Sequence, residues 1–171
     1  MKKLLLLAAC IGFAATTFAQ EKLTIDWPKE DKLKVATDQP SGQVRMVELI
    51  PEKETLDKWT LMGNTMSMEG VKLPSTKTVV DLFSQTAKQN APDATVTVLE
   101  SDDTAKNIWV LFKIESPKFL DDPKPESQLY YAIQGDTTLF VNFIAIKKAK
   151  LPSDFVTKWS KVFKASKLES K

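Results

Sequence analysis

The chain has 171 residues, with 24 Lys and Arg against 22 Asp and Glu, and 43% of its residues are apolar. That suits one globular domain of ordinary size, excludes a disordered chain, and gives no bulk basic signature for nucleic acid. There is no histidine, and Cys10 is the single cysteine.

The first segment carries Lys2 and Lys3, an apolar run from Leu4 to Ala15, and a small-x-small ending at Thr17-Phe18-Ala19. A charged start, an apolar centre and small residues around a cleavage point describe a secretory signal peptide over residues 1–19. Cleavage after Ala19 leaves residues 20–171 as a single α+β domain with equal numbers of basic and acidic side chains. The predicted location is the periplasm or the extracellular space. Leu7-Ala8-Ala9-Cys10 also resembles a lipoprotein signal, but its apolar region before Cys10 is shorter than such signals need. The domain then holds neither Cys nor His, so no disulfide can form and packing must supply the stability.

Leu23, Ile25 and Trp27 form a first apolar patch that ends at Pro28. Leu33 to Thr37 alternates like a strand, Gln39-Pro40-Ser41-Gly42 reads as a turn, and Gln43 to Ile50 reads as the partner strand. A third strand is predicted over Trp59 to Met68. A helix follows from about Thr76 to Gln89, with Val79, Leu82, Phe83 and Ala87 on one face and Ser75 or Thr76 as its cap.

Four strands come next: Ala94 to Glu100, Asn107 to Glu115, Gln128 to Ile133 and Thr138 to Ile146. Gln134-Gly135-Asp136 joins the last two as a short hairpin. The last strand is apolar on both sides, as a central strand covered twice would be. A final helix is predicted from about Pro152 to Ser166, with Phe155, Trp159, Val162 and Phe163 as its buried stripe. The whole reads as α+β: one antiparallel sheet of about six to seven strands with two main helices packed on it.

That order of elements, from about Leu33 to Ser166 and closed by the Phe155…Trp159…Phe163 helix, resembles the PsbP/Mog1/DcrB-like group. The resemblance implies a small exported domain with an antiparallel sheet between helices. It also implies an accessory role, mostly without demonstrated catalysis, and carries over no functional residue.

Without His and Cys in the domain, Ser-His-Asp and Cys-His devices are closed, as are zinc sites of thiolates and imidazoles. Gly42, Gly63, Gly70 and Gly135 form no phosphate-cradling or dinucleotide motif. No cofactor is called for. The pairs Asp102-Asp103 and Asp121-Asp122 read as turn residues, since neither has the spacing of an EF-hand. Met62, Met66 and Met68 share strand parity; they are either gap-filling core residues or a soft-metal site of thioethers suited to Cu(I).

Pro117 to Glu126 is the longest irregular insertion. Phe119, Leu120, Asp121 and Asp122 within it form the candidate partner or ligand loop, with Phe119 as the apolar contact. Lys158, Lys161, Lys164 and Lys167 step around the last helix, a solvated face or a surface for anionic lipid. The reading is a non-catalytic exported module that binds a small apolar ligand or a protein partner and no nucleic acid. The alternatives are a hydrolase-type enzyme using carboxylate, Lys or Tyr groups, and a peripheral membrane-associated envelope protein.

Overall fold

Period-two alternation of β-branched and aromatic residues dominates the chain, and strands form where it occurs. The computed structural model describes residues 21–169. The expected signal peptide, with Cys10, falls outside the described residues. In chain order the elements are β1 (Lys22–Thr24), β2 (Leu33–Ser41), β3 (Val44–Pro51), β4 (Leu61–Glu69), α1 (Thr76–Asn90), β5 (Thr95–Asp102), β6 (Trp109–Ser116), β7 (Glu126–Gln134), β8 (Thr138–Ile146), α2 (Ser153–Lys164) and β9 (Lys167–Glu169).

Seven strands form one antiparallel sheet in the order β2-β3-β4-β8-β7-β6-β5. The fold is α+β, with a helix packed on each face of this sheet. β1 and β9 make a separate two-stranded sheet, which ties the start of the domain to its end. Both edge strands carry a register shift, at Val35/Thr37 in β2 and at Val98/Glu100 in β5. Such bulges bend an edge and disfavour the addition of a further strand.

Alternation sends successive residues to opposite layers. Val110, Phe112 and Ile114 of β6, Tyr130 of β7 and Val141 of β8 meet Val79 and Phe83 of α1. Leu111, Leu129, Tyr131 and Ile144 meet Trp159 and Phe163 of α2, together with Ile25 and Trp27. β8 therefore faces a core on each side, as its two apolar faces require. Aromatic rings knit each layer: Phe112 stacks on Tyr130 with centroids 4.8 Å apart, and Tyr131 on Phe163 at 6.0 Å. Trp27 packs over the sheet at Gly63, where a Cβ would lie 3.0 Å from the ring.

Several local expectations are corrected. The β2–β3 turn falls at Gly42-Gln43, not at Gln39–Gly42; Pro40 stays within β2, which an edge strand tolerates because its missing N–H can face solvent. Leu82 is exposed, and Val80 packs beside Val79 and Phe83 instead. α2 ends at Lys164, two residues early, because Lys167–Glu169 extends to pair with β1. The start of α1 has no side-chain cap from Ser75. Asp103 reaches it instead, accepting from the Thr76 N–H at 2.8 Å and the Thr76 hydroxyl at 2.9 Å. A carboxylate there also complements the positive end of the helix dipole.

Candidate functional site

The sheet extends past the cover of α2, and its open face forms a groove. Register sets the floor. Arg45, Ser67 and Phe140 are direct partners across β3, β4 and β8, and Val47, Thr65 and Asn142 form the next row. Odd parity in β3 and β4 points these side chains to the α2 side. Residues 21–23 at the start of the domain make one wall, and the β2–β3 turn makes the opposite rim. The cavity measures about 440 Å³, within the range of small-molecule sites.

The lining mixes an apolar body with hydroxyl and amide groups, and Glu21, Lys22, Arg45 and Glu69 add charge around it. Phe140 and Asn142 are buried, and the Asn142 amide donates to the Tyr131 carbonyl at 3.4 Å. The Thr65 and Ser67 hydroxyls make no side-chain hydrogen bond among the described residues and can serve a ligand. Arg45 of the floor grips Asp38 at 2.6 Å. That hydrogen bond holds the Asp38 carboxyl below its ordinary range and raises Arg45 further.

The wall is pinned by Glu21. Its carboxylate accepts from the N–H groups of Asp136, Thr137 and Thr138 at 2.7, 2.8 and 2.9 Å, and from the Thr137 hydroxyl at 2.9 Å. Burial is the largest single influence on this carboxyl and pushes its pKa up. The four hydrogen bonds together outweigh burial, and the net shift is downward from 4.5. Gly135 makes room for the clamp, since a Cβ there would sit 2.5 Å from the carboxylate.

No resolved shift moves a group toward neutrality. Burial pushes Tyr131 up to about 12 and Tyr130 higher still. The Thr104 hydroxyl and the Thr104 and Ala105 N–H groups hold Asp102 low. General acids and bases are tuned the other way, toward the working pH. Among the described residues, no group of three or more His, Cys, Asp or Glu is placed to hold a metal ion.

The residues singled out from sequence lie elsewhere. Asp102 and Asp103 serve a turn and the start of α1. Asp122 accepts from the Lys124 N–H at 3.0 Å; Asp121 is exposed. Phe119 packs against the α1-side core, so it is not a free contact. Leu120, 72% exposed, is the apolar tip of that loop, which docks on the end of α1 through the Asn90 carbonyl.

Lys158 and Lys164 of α2 are paired with Asp31 and Glu100. No helix among the described residues is long and apolar enough to cross a membrane. Met62, Met66 and Met68 do share a face of β4, the α1 side rather than the groove side, and β3 brings Met46 opposite Met66. The groove residues carried no sequence signal, because threonine, serine and asparagine in strands become a site only through cross-strand register. Compared with protein-family models and with curated protein sequences, the chain matches none.

Proposed function

We propose that this protein is a non-catalytic exported module that binds a small ligand with an apolar body and a hydrogen-bonding group. The observation that carries the reading is the groove of about 440 Å³ over Phe140, Thr65, Ser67 and Asn142. Polar groups fix a ligand's orientation there, and apolar area supplies affinity. The resolved pKa shifts, all directed away from neutrality, support binding over catalysis. Kinship with the PsbP/Mog1/DcrB-like group belongs to the same proposal, supported by the order strands, helix, four strands, helix.

Export is supported by the Lys2-Lys3 start, the apolar run and Thr17-Phe18-Ala19. Mass spectrometry of protein from its native host is expected to find Gln20 at the N-terminus. An intact Met1 or an acylated Cys10 would overturn export by this signal.

The groove is tested with anilinonaphthalene sulfonate, whose fluorescence rises in an apolar site. Saturable binding is expected, weakened about tenfold or more, ~1.4 kcal/mol, in Ser67→Trp, which fills the groove without entering either core. Leu120→Glu, on the opposite side of the sheet, is expected to bind as the wild type does. Binding should be flat between about pH 5 and 8, the range in which histidine is the usual titrating side chain. Equal affinity in Ser67→Trp would dismiss the groove. Loss in Leu120→Glu alone would move the contact to the Pro117–Glu126 loop and favour the protein-partner reading.

A further inference from the structure

We propose that Met46, Met66 and Met68 form a thioether site for a soft monovalent cation, Cu(I), on the face of the sheet opposite the groove. The proposal does not rest on the groove reading, although Met66 also borders the groove.

The β3–β4 register sets Met46 directly opposite Met66, and Val44 opposite Met68. Directly opposed residues have Cβ atoms about 4.5–5.5 Å apart, and Met68 is the diagonal neighbour of Met46, at about 7–8 Å or less. Methionine has three rotatable bonds and can close spacings of that size around one ion. Met62 cannot join them. It stands four residues before Met66, about 13 Å along the strand, with Asn64 between. The sequence grouping of Met62, Met66 and Met68 is therefore regrouped: Met62 leaves and Met46 enters.

Three further observations separate these side chains from ordinary core methionines. None of the three is buried. Met46 and Met66 belong to neither core, and Met68 only borders the one beneath α1. Asn64, same-face neighbour of Met66, is 2% exposed, and its Oδ1 has no hydrogen-bond partner among the described residues. A buried acceptor left without a donor is costly, and a cation held beside it would offset that cost. Glu48, directly opposite Asn64 on the same face, adds a negative charge nearby.

Ligand chemistry selects the ion. Thioethers are soft donors that favour Cu(I), whereas Zn(II) sites draw on thiolates and imidazoles and Cu(II) sites on imidazoles and oxygens. The domain has no imidazole or thiol to offer. Neutral thioethers need no deprotonation, so binding should persist in mild acid.

The test uses the full chain in a Cys10→Ser background, which removes its one thiol. Cu(I) is titrated without oxygen against a chromogenic Cu(I) chelator, and the methionine methyl carbons are followed by NMR. One equivalent is expected to bind, with the Met46, Met66 and Met68 methyls shifting and that of Met62 unmoved. Zn(II) should not compete. Met66→Leu should weaken binding tenfold or more, and the triple Met46→Leu, Met66→Leu, Met68→Leu variant should lose saturable binding. Met62→Leu should match the starting protein. Leucine conserves volume well enough to keep the fold, and a thermal melt checks each variant. Failure of the unsubstituted protein to bind, unmoved Met46, Met66 and Met68 methyls, or unchanged binding in a folded triple variant would overturn the site.

Discussion

Replacing Trp159 by alanine is expected to remove about 3–5 kcal/mol of stability, the usual loss for a buried aromatic. Trp159 is 1% exposed and sits at the meeting point of three parts of the chain. Its ring lies 5.8 Å from that of Trp27, 6.1 Å from Phe155 and 6.3 Å from Phe163. The cavity would open between α2, the sheet and the segment that follows β1, so those parts cannot collapse into it together. Urea melts of the variant and the wild type measure the difference. A change below about 1 kcal/mol, the scale of surface substitutions, would mean that α2 does not hold this layer. Trp159→Phe should recover part of the loss by refilling part of the space.

The second large effect belongs to Glu21. Glu21→Ala leaves three N–H groups of the β7–β8 turn without their acceptor, and hydrogen bonds to a charged group contribute about 1.5–3 kcal/mol each in favourable cases. A total loss of about 3 kcal/mol is expected, because water reaches part of the turn. The pH dependence follows from the lowered pKa. In the unfolded chain the carboxyl titrates near 4.5, and in the fold it titrates lower. Its contribution is fully present above about pH 5, and is lost as pH falls through the folded value.

Glu21→Gln should therefore be less stable than the wild type at neutral pH and converge with it in acid. Melts of both proteins across pH 3 to 7, on the order of one unit per step, check this. Parallel curves would mean that the carboxylate is not the source of the clamp. Gly135→Ala should mimic Glu21→Ala at neutral pH, because its methyl occupies the space of the carboxylate.

These two positions differ in how far they could be read from the sequence. Trp159 lay on an apolar stripe at helical spacing, and the structure buries it in the layer that stripe implied. The periodicity of β6 and β8 was equally legible: Val110, Phe112 and Ile114 share one layer, and β8 divides its apolar residues between two. Glu21 had no signal at all. Its partners lie 115 to 117 residues away, and a carboxylate near a chain start is ordinarily solvated. Gly135 read correctly as part of a hairpin, yet the space it leaves is needed by a residue from the other end of the domain.

Local physics thus determined most of the fold. Alternation specifies strands, helical spacing specifies α1 and α2, and Pro and Gly punctuate the turns, because each depends on neighbours a few residues away. Tertiary structure decided the β1–β9 pairing, the groove and the methionine grouping. Each depends on which strand lies beside which, and in what register. A shift of one residue in β3 would send Met46 to the groove side and take Arg45 and Val47 from the groove floor. The sequence pattern holds both faces of every strand, but only the pairing joins residues from different strands into a surface that can bind.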